Sequence, residues 1–266
     1  MSNADAASKA LAADGRANAN ANSANVKLEP RPWGLLASLG CYLLIFELEI
    51  RLQDLIVTAT GLETFFDRHV VFQSVYFIAG WGIRLGLIIL AVRLTRVPLL
   101  EYLGWIRPRV RDVALGIVII TAIFALLTVF VLSASAGPLW AKSYRAAIAA
   151  GTSPWWFVLQ WWPAIILAPF VEETFFRGFL WRGVQSQLGN WAAFLVSTLL
   201  FAAMHYKYWM PDGVVDPGSV IQYLVLSSIF GWLRWRSGGT VAPMIAHGLN
   251  NSALQIVKIV LSAIVP

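Results

Sequence analysis

Three short runs late in the chain put proton-transferring side chains among apolar neighbours: Glu172-Glu173-Thr174-Phe175-Phe176-Arg177, Phe201-Ala202-Ala203-Met204-His205 and His247-Gly248-Leu249-Asn250-Asn251. An ionisable group in a lipid-embedded segment costs about 2.5 to 3.5 kcal/mol on insertion scales, so its presence there points to function. A carboxylate, two imidazoles and a carboxamide around one spot can activate water and stabilise an oxyanion, the two demands of amide hydrolysis. Successive helical residues point about 100° apart, so Glu172 and Glu173 cannot face one reactant together. Glu173 and Arg177 have the i,i+4 spacing of an ion pair, which leaves Glu172 as the reactive carboxylate. His247 and Asn251, also four apart, share one helix face.

What must position these groups is a set of helices in lipid. The chain has 266 residues, 58% hydrophobic and only 13% charged, with a mean hydropathy of +0.67. A soluble globule carries about 25% charged residues, so a soluble class is excluded. The expected fold class is all-α, a polytopic transmembrane helical bundle of seven or eight spanning helices, because spanning backbone must satisfy its own hydrogen bonds. Apolar segments run over 33–57, 70–94, 113–133, 155–187, 191–209, 220–235 and 241–265. The fourth contains Pro163 and Pro169, each lacking a backbone donor, so a kink or a reversal is expected near Pro169 and with it the eighth span. Residues 1–32 are polar and repetitive and are expected to form a disordered tail; residues 33–266 form the transmembrane domain, with the catalytic helices in 155–265.

The turn at Gly189-Asn190 makes the constellation converge. Glu172 lies 17 residues before Gly189 and His205 lies 16 after it, so both sit about 25 Å along their helices at 1.5 Å per residue. Carboxylate and imidazole then meet at one depth.

The net charge of +6 sets topology, and no aromatic-basic pattern suggests nucleic acid. Arg93, Arg96, Arg107, Arg109 and Arg111 between the second and third segments predict a cytoplasmic loop. Two spans earlier, the N-terminus is expected on the same side, in a multi-pass protein of the cell membrane. Glu47, Glu49, Arg51 and Asp54 read as solvated charges at the outer end of the first helix. Arg84, mid-span, needs a carboxylate or a lipid phosphate as partner, and His69 reads as a loop residue. The single Cys41 excludes an internal disulfide.

The motifs Glu-Glu-x-x-x-Arg, Phe-x-x-x-His and His-x-x-x-Asn, in order from Glu172 to Asn251, resemble the CPBP family (CAAX protease and bacteriocin-processing, also called Abi). These are intramembrane glutamic endopeptidases and include the type II CAAX prenyl proteases. The resemblance implies that Glu172 and His205 activate water and that His247 and Asn251 form the oxyanion hole. Glu173 and Arg177 occupy the remaining, supporting positions. It implies a membrane-associated peptide or protein substrate, prenylated or carrying a leader, and a site inside the bilayer opening to the cytosol, which favours the reversal at Pro169. No cofactor is expected. The alternative mechanism is zinc held by Glu172, His205 and His247 with a water, although the His-Glu-x-x-His run of soluble zinc proteases is absent. A non-catalytic scaffold or bacteriocin-immunity protein is the alternative of another class.

Overall fold

The computed structural model describes residues 31–62, 70–133, 161–210 and 213–264, and every regular element among them is helical. The expected tail, His69, and the start of the fourth apolar segment with Trp155 and Trp156 lie outside the described residues. Helix α1 runs over 35–60 as Leu35–Tyr42, a π-helical stretch Leu43–Leu48, and Glu49–Thr60. Helix α2 is Val70–Leu94, α3 the short Leu99–Leu103 and α4 Val110–Ser133. Helix α5 covers 163–188, starting with the π stretch Pro163–Leu167, continuing as Ala168–Glu173 and crossing a second π stretch, Thr174–Leu180. Helix α6 covers 190–204, α7 is Tyr206–Trp209, α8 Pro217–Ser237 and α9 Val241–Ile264.

The apolar segments of the sequence correspond to the long helices, with shifted ends. Helix α8 starts at Pro217 because Asp216 caps it, accepting from the amides of Gly218 and Ser219, with proline at the first helical position, where a missing N–H is harmless. The segment expected over 191–209 breaks at His205, whose φ of −87° and ψ of 20° separate α6 from α7.

Pro169 carries no reversal, which corrects the expectation of a turn there. The helix absorbs the proline in a widened π turn: the amide of Ala168 bonds the carbonyl of Pro163, five residues back. The reversal falls instead at Gly189, with φ 78° and ψ −177°, backbone angles that are essentially open only to glycine.

Both ends of the bundle are held by named contacts. At one end the Trp33 indole donates to Ala91 O at 2.8 Å, the amide of Leu35 to Gln187 Oε1 at 2.8 Å and the amide of Thr240 to Gly104 O at 2.8 Å. This end therefore gathers the start of α1, the end of α2, the loop 95–109, the Gly189 turn and the junction of α8 with α9. Arg182, Arg234 and Arg236 lie here with Arg93 to Arg111. At the other end Lys207 bonds Asp54 at 2.8 Å and the amide of Asp216 bonds Trp209 O at 2.8 Å.

The surface is inverted relative to a water-soluble protein. Glu173 and Arg177 are fully buried, whereas Leu36, Leu126 and Val110 are 81%, 71% and 84% exposed. Among the described residues two helical stretches are long and apolar enough to cross a membrane, Val75–Leu94 and Pro163–Met204, the latter spanning the Gly189 break.

Candidate active site

Helices α5 and α6 form an antiparallel hairpin about Gly189. Phe176 meets Phe201 edge to face at 5.3 Å, and one turn further out Glu172 Oε2 lies 3.9 Å from His205 Nε2. Helix α9 brings the third member: His247 Nε2 is also 3.9 Å from Glu172 Oε2. Three side chains from three helices thus meet at one oxygen, about 25 Å from the turn in α-helical rise. Trp105, from the loop between Arg93 and Arg111, donates to Thr174 Oγ1 at 3.1 Å and its ring meets Phe170 at 5.3 Å, so that loop reaches the turn of α5 that carries Glu172.

The hydrogen bonds around the trio assign its chemistry. His205 Nδ1 is 2.8 Å from the carbonyl of Phe201; a carbonyl only accepts, so Nδ1 carries the proton and Nε2 of neutral His205 turns a lone pair toward Glu172. His247 Nδ1 is 3.0 Å from Glu173 Oε1, and the same oxygen lies 3.1 Å from Arg177 Nη1. Arg177 is held in turn by Ser227, through its carbonyl at 2.8 Å and its hydroxyl at 2.7 Å. Glu173 and Arg177 therefore pair as their spacing predicts. Glu172 Oε2 is buried and accepts no hydrogen bond among the described residues, and both imidazole nitrogens stand one bridging water away from it.

Asn251, one turn beyond His247 on α9, is bonded to α5 and to its own neighbour. Its amide donates to Ala164 O at 2.7 Å and its Oδ1 accepts from Asn250 at 3.1 Å. The reason lies in α5: in the π pairing of Pro163–Leu167 the carbonyl of Ala164 would accept from residue 169, which is proline and has no N–H. The Asn251 amide supplies that donor from α9, and its second N–H is not used by this bond. Gly248 completes the join, since a Cβ there would sit 2.9 Å from the carbonyl of Ile165.

Several positioning groups carried no sequence signal. The His205 ring lies between Phe201, 4.7 Å away, and Tyr223 of α8, stacked at 4.6 Å and 22°. Phe230, also of α8, stacks on His247 at 4.8 Å and 20°. Phe201 precedes His205 by four residues in the Phe-x-x-x-His run, whereas Tyr223 and Phe230 meet the histidines only across helices, where periodicity could not reveal them. Arg84 finds its partner in Glu49, bonding it through Nε at 2.8 Å and through Nη2, and lies over the Trp81 ring at 4.5 Å. Glu49 is consequently a half-buried pair member and not a freely solvated charge, because Arg84 of α2 bonds it. Arg51 and Asp54 are exposed as expected.

Among the described residues no group of three or more His, Cys, Asp or Glu is arranged to hold a metal ion. Residues 154–253 match a family model described as type II CAAX prenyl endopeptidase Rce1-like. No curated protein and no solved structure matches the chain.

Proposed function

Residues 154–253 belong to the CPBP family of CAAX-type proteases, a membrane-embedded family of endopeptidases, and from that premise we propose that this chain is a glutamic intramembrane endopeptidase. The observation that carries the reading is the single Glu172 oxygen at 3.9 Å from two imidazoles.

A water between Glu172 and His205 donates one O–H to the carboxylate and the other to the His205 Nε2 lone pair, leaving its own lone pairs free to attack the scissile carbonyl. As the C–O bond forms, the water proton passes to the Glu172–His205 pair; as the C–N bond breaks, that proton goes to the departing amine. His247, whose Nδ1–H is directed at Glu173, donates from Nε2 to the oxyanion when protonated at both nitrogens. Its positive charge with that of Arg177 balances Glu172 and Glu173, so the buried cluster is neutral overall, which a low-dielectric interior favours. Asn251 offers its second amide proton to the same oxyanion and with the first holds the proline-broken end of α5. Loss of one such donor elsewhere costs about 3 to 4 kcal/mol in the transition state.

The substrate is a membrane-associated peptide or protein, prenylated or carrying a leader, and no cofactor takes part. The arginine-rich end and the N-terminus face the cytoplasm of a multi-pass cell-membrane protein. Mass spectrometry of protein termini in cells carrying the wild type or Glu172→Gln tests the reading: termini present only with the wild type are expected, and identical termini in both would remove it. Chelators are expected to leave cleavage by the purified protein unchanged; loss on chelation with recovery on adding zinc would replace the water-activating role of His205 by metal ligation.

A further inference from the structure

Helix α8 carries none of the ionisable groups of the site, yet one stripe of it touches three of them. Tyr223, Ser227 and Phe230 stand at i, i+4 and i+7, a spacing that places all three on one helix face. The Tyr223 ring stacks on the His205 imidazole at 4.6 Å and 22°, and the Phe230 ring on the His247 imidazole at 4.8 Å and 20°. Between them Ser227 accepts from Arg177 Nη2, through its hydroxyl at 2.7 Å and its carbonyl at 2.8 Å. The same hydroxyl donates onward to the carbonyl of Thr198 in α6 at 3.2 Å. Ser227 and Phe230 are buried, and Tyr223 is half-buried.

His205 needs a support that its own helix does not give. It stands at the junction of α6 and α7, outside regular helical angles, and one hydrogen bond, from Nδ1 to the carbonyl of Phe201, ties its ring. A single bond leaves the ring free to rock about that axis. A ring face on either side stops the rocking, and Phe201 at 4.7 Å with Tyr223 at 4.6 Å supplies both. An aromatic face also attracts a cation laid over it, more strongly where water is excluded. When His205 Nε2 takes up a proton from the activated water, the imidazole becomes cationic directly over the Tyr223 ring, so the contact strengthens as the charge appears. Phe230 gives the same face to His247 and lies 5.6 Å from the Arg177 guanidinium carbon.

Resting on the reading of Glu172 and His205 as the water-activating pair, we propose that α8 is the positioning helix of the site: Tyr223 orients His205 and stabilises its cationic form, Phe230 does so for His247, and Ser227 holds the Arg177 that pairs with Glu173. Tyr223 is the member tied most directly to turnover, because its partner gains and loses charge within each cycle. The partners of Phe230 and Ser227 carry their charge throughout.

The chain holds three histidines, His69, His205 and His247, so nitrogen-15 labelling of histidine in the full chain, purified in detergent, gives three imidazoles to follow by NMR, with His205→Gln identifying one. Cleavage is measured in parallel on peptides spanning the termini that depend on Glu172. Tyr223→Leu, which keeps bulk but removes the ring face, is expected to lower kcat about tenfold with KM changed less than about twofold. It should also replace the single Nδ1–H tautomer of His205 by a mixture. Tyr223→Phe keeps the face and should match the wild type in both readouts. Ser227→Ala should lower kcat less, because the carbonyl of residue 227 still accepts from Arg177. Ile221→Ala, on the same helix and 60% exposed, should change nothing. The proposal is overturned if Tyr223→Leu keeps both kcat and the His205 tautomer, or if Tyr223→Phe loses as much as Tyr223→Leu, which would assign the role to the hydroxyl. A fall in kcat with the His205 signal unchanged would also overturn it, leaving Tyr223 a packing residue. The NMR readout needs no substrate, so it decides the stack even where Glu172→Gln alters no termini and the protease reading itself falls.

Discussion

Two glutamates of this bundle, Glu49 and Glu172, are treated in opposite ways. Glu49 is saturated: Arg84 donates to it twice and Gln53 once. Glu172 is more deeply buried, yet its Oε2 accepts no hydrogen bond among the described residues and is flanked by two imidazoles held back at 3.9 Å. The first arrangement stabilises a charge by completing its coordination; the second keeps acceptor capacity in reserve, at a cost in stability, for something that arrives later. Burial alone therefore says little about role; what distinguishes Glu172 is an unpartnered oxygen facing two imidazoles.

The widest test of this contrast is turnover. Glu172→Gln and His205→Ala are expected to lower the cleavage rate by about 10²- to 10⁴-fold, the usual range for general acid-base groups, measured on purified protein with a cleaved peptide substrate. Thermal unfolding of Glu172→Gln should be unchanged or raised, because an unmet buried charge is removed; a lower unfolding temperature would show Glu172 to be structural. Glu49→Ala should do the reverse. Stranding Arg84 costs about 3 to 5 kcal/mol of stability, read as a drop in unfolding temperature, while turnover per folded molecule changes far less than for Glu172→Gln.

A smaller effect, about 1 to 3 kcal/mol, is expected for Gly189→Ala, since the hairpin that aligns Glu172 with His205 turns on backbone angles essentially open only to glycine; unfolding temperature again reports it. Smallest is Asp216. Bonds from the Ser219 hydroxyl first, then from the Ser219 and Gly218 amides, hold its carboxyl below the usual carboxylate range. A carboxyl depressed on folding stabilises above its unfolded pKa and loses that contribution as pH falls through its folded pKa. Asp216→Asn should remove this acid-side loss while leaving neutral-pH stability near the wild type, as seen in unfolding scans across pH.

What the sequence made legible was whatever depends on one helix or one turn. The i,i+4 pairing of Glu173 with Arg177, the break at Gly189 and the equal depth of Glu172 and His205 all follow from rise and periodicity, and the structure has them. What it hid depends on partners far along the chain. Glu173 joins His247 across 74 residues and Arg84 joins Glu49 across 35. Pro169 was the most misleading residue: its chemistry shows that a donor is missing, but not that Asn251, 87 residues beyond the bereft carbonyl of Ala164, replaces it. Without that replacement a reversal is the natural reading; with it, the helix continues and the arginines of α5 and α8 come to the same end as the loop before α4.

The π stretch Thr174–Leu180 separates the paired glutamates from the arginine end of the same helix. Such a stretch amounts to an extra residue threaded into an otherwise regular spiral, so it acts as an angular offset between what lies upstream and what lies downstream. Excising one apolar residue from it would scarcely alter hydrophobicity or length, yet it would swing Glu172 by about 100° relative to Trp181 and Gly183. The helix would still be compatible with lipid, and its acid would look out on acyl chains.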